Sequence, residues 1–263
     1  MNAHAPVSAS DLAPPTAIAQ RLTSGFCDLD LVNRLAEARR AIAGRLVFTT
    51  SFGLEDQAIT HAILSQDLAI DIVTLDTGRL FPETYAVWSE TEARYGRRIR
   101  AFYPERTRVE AFVAQHGIDG FRASVAARQT CCAVRKVAPL GRALDDASGW
   151  ITGVRAEQSG ERATAPYAAV DAAHGLIKLN PLLDWSRERV VAFVREHGVP
   201  YNTLHDEGFL SIGCAPCTRA VKPGEPERAG RWWWEQEDKK ECGQHSRSRP
   251  IPETAVPETA VAS

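Results

Sequence analysis

Apolar positions along the chain fall into two alternating rhythms, short continuous runs and longer stretches of helical spacing. Leu46-Val47-Phe48-Thr49-Thr50 predicts a buried strand. Before it, Leu31, Val32, Leu35, Ala38 and Ile42 recur at helical spacing and predict a helix over residues 28–43. Further strands are predicted over 69–75, 98–103, 150–155 and 176–179. Helices are predicted over 82–95, with Pro82 in the first turn, and over 107–115. Another comes after Lys136 with Val137, Leu140 and Leu144 on one face, and one capped by Ser186 runs through His197. Residues 1–20 are rich in Ala, Pro and Ser with no face to bury, and read as a loose arm. Cys27 reads as a small buried hydrophobe. Strands alternating with helices through short links predict an α/β fold, a parallel twisted sheet flanked by helices with ligands outside the C-terminal strand ends.

Composition narrows this picture. A chain of 263 residues with 44% hydrophobic content can bury one substantial core. A formal net charge of −2 excludes a general nucleic-acid binder, so recognition of an anion has to come from locally placed Arg and Lys. No apolar run is long enough to span a membrane, and the first twenty residues carry neither a basic start nor an apolar core of a signal peptide. Six cysteines without secretory marks predict a reducing, cytoplasmic setting in which thiols serve metal binding and chemistry.

Two strand ends carry candidate chemistry. Ser51-Phe-Gly-Leu-Glu-Asp56 comes after the first strand and precedes a helical pattern from Gln57. Its backbone N–H groups and Gly53 suit an anion cradle, although an ordinary strand-to-helix turn fits as well. It has neither the Gly-Lys-Ser/Thr of a Walker loop nor the Gly-x-Gly-x-x-Gly of a dinucleotide fold. Asp76-Thr-Gly-Arg79 ends the second strand.

Cys131-Cys132 and Cys214-Ala-Pro-Cys217 form two thiol groups. A Cys-x-x-Cys alone suits a zinc clip or a redox disulfide. Adjacent cysteines diverge on one backbone, and this favours a [4Fe-4S] cluster, which offers each thiolate its own iron. Four thiolates on such a core form a dianion, so Lys136 would be favoured beside it. Arg228-Ala-Gly-Arg231-Trp-Trp-Trp cannot turn all three indoles inward and reads as an extension anchored by packing. Cys242, near His245, Lys239 and Lys240, is a candidate nucleophile because cations favour the thiolate; a surface thiol without a role is the bland alternative. The doubled Pro-Glu-Thr-Ala-Val after Ser246 reads as a disordered tail.

Taken together, Ser51-Phe-Gly-Leu-Glu-Asp56, Leu75-Asp-Thr-Gly-Arg79, Cys131-Cys132 with Arg135-Lys136, Cys214-Ala-Pro-Cys217, Arg228-x-x-Arg231-Trp-Trp-Trp and Glu241-Cys-Gly-Gln-His245 closely resemble the assimilatory adenylyl-sulfate (APS) reductases. The likeness covers most of residues 45–245, with six motifs in the family's order. It implies a modified PP-loop, adenine nucleotide alpha hydrolase-like fold with a C-terminal catalytic extension. It also implies a [4Fe-4S] cluster and reduction of APS to sulfite and AMP with thioredoxin, by a homo-oligomer such as a tetramer. Carried over by resemblance, Cys131, Cys132, Cys214 and Cys217 bind the cluster, and Cys242 attacks the sulfate sulfur. Ser51, Gly53, Leu75, Lys136, Arg162, Arg228, Arg231 and His245 line the nucleotide and sulfate site, with Arg155 as the alternative to Arg162. Gln244 stands where the family usually has Ile or Leu. The implied organisation is an arm (1–20), a nucleotide- and cluster-binding domain (21–225), a catalytic segment (226–246) and a tail (247–263).

Three alternatives stay open at this level. A phosphoadenylyl-sulfate (PAPS) reductase, or an enzyme accepting both nucleotides, uses the same fold and tail cysteine, though most PAPS reductases lack the four cluster cysteines. A PP-loop ATP pyrophosphatase of tRNA thiolation would keep a Ser-Gly-Gly-x-Asp loop, which residues 51–56 are not. A metal-bearing binding module or redox sensor would not need Cys242.

Overall fold

The computed structural model describes residues 13–235. Six strands, β1 (Arg45–Thr50), β2 (Asp71–Leu75), β3 (Arg100–Phe102), β4 (Ala147–Ile151), β5 (Ala168–Asp171) and β6 (Leu176–Leu179), form one sheet in the order β3-β2-β1-β4-β6-β5. All neighbours are parallel except β5 and β6, which pair antiparallel. The chain builds outward from β1 to β2 and β3, then crosses back to place β4 on the other side of β1. That reversal opens a crevice at the C-terminal ends of β1 and β4, where doubly wound sheets hold their ligands.

Helices cover both faces. On one, α1 (Pro15–Phe26), α2 (Leu31–Ala41), α3 (Leu54–Ser65) and α8 (Arg187–Glu196) bury Leu22, Phe26, Leu35, Ile59 and Val194 against Phe48 and Ile151. On the other, α7 (Ala138–Leu144) packs Leu140 and Leu144 on Val47, Val73 and Trp150. Val47 and Phe48, neighbours on β1, thus face opposite cores. This is why the central strand reads as an unbroken apolar run. Outside these layers, α4 (Pro82–Tyr95) has the bounds its periodicity predicts, and α5 (Arg106–His116) and α6 (Val125–Cys132) lead toward the cysteines.

Several expectations are corrected. The loose arm does not extend to Gln20, because α1 begins at Pro15. Its Ala19, Leu22 and Phe26 form one buried stripe that the preceding prolines obscure in sequence. Cys27, at the end of α1, is exposed rather than buried. The helix predicted over 28–43 is trimmed at both ends: Asp30 caps it by accepting from the Asn33 amide at 2.8 Å, and Ile42 is already extended. The strand predicted over 150–155 runs from Ala147 and ends at Ile151, where the chain turns into the crevice. Strand β5 escaped prediction because Ala-Ala-Val-Asp has almost no β signal of its own and is held by pairing with β6.

Buried Arg34 ties α1 into the body. Its Nε donates to the Phe26 carbonyl (2.7 Å) and an Nη to the Pro181 carbonyl (2.8 Å), while the fork pairs with Asp184. Arg34→Ala is therefore expected to lower stability by about 2–3 kcal/mol in urea unfolding. This is less than a fully buried pair would cost, because 36% of the Asp184 side chain is in solvent. A change within 0.5 kcal/mol would show that this anchor carries nothing.

Candidate functional site

The residues after β1 form a tight loop that closes on itself. Gly53 is the N-cap of α3, so the helix starts at Leu54 rather than Gln57 and carries Glu55 and Asp56 in its first turn. The Asp56 carboxylate accepts from the Ser51 amide (2.6 Å) and the Ser51 hydroxyl (2.7 Å). Phe52 holds a positive φ of 59°, an arrangement that costs a non-glycine residue energy. It is retained by burial and by stacking on Trp88 at 5.5 Å. Across the crevice, Gly153 approaches so closely that a Cβ there would lie 2.3 Å from Asp56 Oδ1. Burial raises the Asp56 pKa to about 6, with the neighbouring Glu55 adding to the rise and the two Ser51 bonds opposing it.

A cleft of about 860 Å³ opens here. Among its lining residues are Ser51, Gly53, Lys136, Arg162, Arg228 and Arg231. Leu75 lies in an adjoining space of about 530 Å³ that shares Ser51 and Lys136 with the cleft. The site residues assigned from sequence within 13–235 are thus brought together; Cys242, Gln244 and His245 lie outside the described residues. Arg155 and Arg162 separate cleanly. Arg162 lines the cleft, whereas Arg155 is fully buried beneath it. The Arg155 Nε donates to Glu55 (2.7 Å) and an Nη to Glu227 (2.6 Å). Burial would raise the Glu55 pKa, but the Arg155 guanidinium overrides this and holds it below the usual carboxylate range. Glu227 stays raised by burial and by the charge of Glu55.

Sequence reasoning passed over Asp56, Glu227, Gln158 and His205 as lining groups. Acidic residues give no anion-site signal, and His205 is brought in only by the fold. Its Nδ1 lies 2.7 Å from the Phe209 carbonyl, while burial and Arg187 lower its pKa.

The cysteines occupy the next compartment. Cys131 and Cys132 lie within α6, which continues through a π-helical turn, Ala133–Val137, into α7. A π turn inserts one residue into the helix and re-aims the side chains beyond it. Arg135 in that turn donates to the Thr77 carbonyl at 2.7 Å. Cys217 closes a 3-10 turn, Ala215–Cys217, and Cys214 Sγ lies 3.3 Å from Thr77 Oγ1. Ala215 N–H donates to the Arg79 carbonyl at 2.8 Å, so the loop after β2 braces the cysteines instead of serving the cleft.

All four thiols line one space of about 410 Å³, together with Arg79, Arg128, Arg135, Lys136 and Arg231. Among the described residues no group of three or more His, Cys, Asp or Glu that could hold a metal ion is formed. Burial pushes the Cys131 thiol up and the Cys217 thiol to about 12. Lys136 lines all three compartments, and Arg231 and Trp232 form part of the wall between thiols and cleft. Arg231 Nε is buried with no hydrogen-bond partner among the described residues. Gly213 makes room for that guanidinium, since a Cβ there would lie 2.3 Å from it.

Of the three tryptophans, Trp232 is buried, Trp234 is half-buried and Trp233 is 37% exposed. As the sequence requires, the three indoles do not share one environment.

A switch-point crevice lined by convergent cations, with a four-thiol compartment sharing one wall, lies at the strand ends of an α/β fold of the PP-loop type. The phosphoadenosine phosphosulfate reductase domain model matches residues 45–220, and the chain belongs to that family. Curated relatives named adenosine 5'-phosphosulfate reductase are 56% identical over 86% of this chain and 83% of the relative (Rhizobium meliloti strain 1021), and 52% identical over 90% and 92% (Agrobacterium fabrum). The solved phosphate complex of phosphoadenylyl-sulfate reductase from Candida auris superposes with a TM-score of 0.65 at 26% identity, covering 83% of this chain and all of that one.

The raised Asp56 pKa has a sign that can be checked. The folded chain keeps the Asp56 proton up to about pH 6, whereas the unfolded chain loses it near 3.8, so folding is progressively disfavoured as pH rises through that window. Asp56→Asn should therefore gain stability relative to wild type between pH 4 and pH 7, by up to about 3 kcal/mol. The check is the difference in unfolding free energy at the two pH values; a pH-independent difference would rule out the assignment.

Proposed function

We propose that this protein is an adenylyl-sulfate reductase that converts adenosine 5'-phosphosulfate to sulfite and AMP in assimilatory sulfate reduction. The observation that supports the reading is the convergence of Lys136, Arg162, Arg228 and Arg231 on one cleft that shares Lys136, Arg231 and Trp232 with a four-thiol compartment. Guanidinium and ammonium groups that converge on one cleft suit a polyanionic ligand. The relatives' name supplies the nucleotide.

In this reading the Cys242 thiolate attacks the sulfate sulfur. A Sγ–S bond forms, the S–O bond to phosphorus breaks, and AMP leaves with the electron pair. A thioredoxin thiolate then attacks Sγ of the S-sulfocysteine and expels sulfite. The second thioredoxin thiol resolves the mixed disulfide, so that thioredoxin is oxidised by two electrons and sulfur is reduced by two. Ser51, Gly53, Leu75, Arg162, Arg228 and His245 bind and orient the nucleotide. Lys136 and Arg231 offset the charge gathered when an anion attacks a polyanion, and favour the phosphate as it leaves. The setting is cytoplasmic, where thioredoxin is kept reduced, and the working unit is a homo-oligomer.

The four thiols that line one compartment support a [4Fe-4S] cluster, which Cys131, Cys132, Cys214 and Cys217 would hold. A cuboidal cluster needs thiols around a space rather than around a point. Buried thiols whose ionisation is disfavoured become good ligands once a metal replaces the proton. Such a cluster would supply a fixed negative charge beside Lys136 and Arg231, which line the same compartment.

Incubation with 35S-labelled APS in the absence of reductant is expected to leave label on wild type and none on Cys242→Ser; equal labelling of both would exclude the tail thiol. Comparing kcat/KM for APS and PAPS then assigns the nucleotide. Lys136→Ala should retain its iron yet lose at least about tenfold in kcat/KM; an unchanged kcat/KM would remove the electrostatic role.

A further inference from the structure

Arg162 reaches the cleft from an irregular loop, and one neighbouring side chain fastens it there. Residues 160–164 form consecutive turns. The Arg162 and Ala163 amides both donate to the Ser159 carbonyl (3.0 and 3.2 Å), and the Ala165 amide donates to the Arg162 carbonyl (3.0 Å). These bonds fold the loop on itself and attach it to no strand or helix. The Arg162 side chain is held from outside the turns, where an Nη donates to Gln158 Oε1 at 2.5 Å.

Gln158 closes a 3-10 turn, Ala156–Gln158, just after Arg155, and its amide has a fixed orientation. Oε1 accepts from the Arg155 amide (3.1 Å) as well as from Arg162, while Nε2 donates to Glu55 Oε1 (3.1 Å). That same Glu55 oxygen accepts from the buried Arg155 Nε at 2.7 Å. Two donors on one side and a carboxylate on the other admit only one way round for the amide. A carboxylate at 158 would set an anionic oxygen against Glu55, and an apolar side chain would bond to neither partner. The chain of contacts therefore runs from the Arg155–Glu55 pair, in the first turn of α3, through Gln158 to the guanidinium in the cleft.

We infer that Gln158 is a positioning residue for nucleotide binding: its amide sets the Arg162 guanidinium in the cleft before the ligand arrives. The inference deepens the reading above and rests on Arg162 as a contact of the nucleotide's anionic groups. An arginine side chain gives up much rotamer freedom when it is ordered, and on an irregular loop that loss falls on the binding step unless the fold has already taken it. A guanidinium held on one edge keeps its remaining donors in fixed directions, as recognition of a phosphate or sulfate requires. Gln158 is neutral, so it fixes Arg162 without cancelling the charge that attracts the ligand. A carboxylate in its place would cancel it.

The test uses the full-length protein carrying its metal, with the dissociation constant for AMP read by calorimetry and iron content measured alongside. Gln158→Leu is expected to weaken AMP binding at least about fivefold, and Arg162→Ala at least about tenfold. In the Arg162→Ala background, Gln158→Leu should cost no more than about twofold, because the group it positions is gone. Gln158→Glu, which keeps an acceptor for Arg162 but not the donor to Glu55, is expected to bind no better than Gln158→Leu. Iron should stay at the wild-type level throughout, since neither Gln158 nor Arg162 lines the thiol compartment. Wild-type affinity in Gln158→Leu or in Gln158→Glu would overturn the inference. So would a Gln158→Leu cost that is equal with and without Arg162, or a loss of iron, each of which marks a disturbance of the loop as a whole. Unchanged AMP binding in Arg162→Ala would instead remove the reading of Arg162 as a nucleotide contact, and the inference with it.

Discussion

One guanidinium, that of Arg155, joins the segments that make the cleft. It is fully buried after β4 and donates to Glu55 in the first turn of α3 and to Glu227 beside Arg228. Neither carboxylate could be buried at the edge of the cleft without a cation to pair with it, and that cation could not be buried without carboxylates to receive its donors. Each of the three segments therefore depends on the other two. Their common centre lies beneath the cleft that Arg162, Arg228 and Arg231 line.

The same economy of charge appears at the thiols. The loop after β2 supplies Thr77 to Cys214 and to Arg135, and the Arg79 carbonyl to the Ala215 amide, so the two cysteine groups are braced against one strand end. The π turn after Cys132 delivers Arg135 to that loop and Lys136 to the boundary with the cleft. An unbroken α-helix would rotate these two side chains away by the one residue the π turn inserts. Two sites with different chemistry thus share a wall of Lys136, Arg231 and Trp232, and an electrostatic change in one is felt in the other over contact distances.

Much of this was legible beforehand where a residue's role is local. The continuous run 46–50, the Pro82 start of α4 and the Ser186 cap each depend on neighbours in sequence, and each stands where periodicity and capping put it. Predictions failed where long-range pairing decides. Strand β5 exists because β6 receives it, and α1 is helical because Leu22 and Phe26 find a core. Arg155 and Arg162 share one loop and one side-chain chemistry, so nothing in their spacing separates a buried brace from a cleft arginine.

What the sequence determined by itself was the alphabet of the site: which thiols come in groups, which cations accompany them, and which loops succeed strands, because spacing and side-chain chemistry are carried by the chain. Only the tertiary structure decided which charges face the cleft and which are consumed beneath it. It also decided that Asp56 turns back on Ser51, and that Arg128 reaches across to Glu235. Those outcomes depend on burial and on partners roughly a hundred residues apart or enforced by packing, and the free energy of a charge is set by where folding leaves it rather than by its place in the chain.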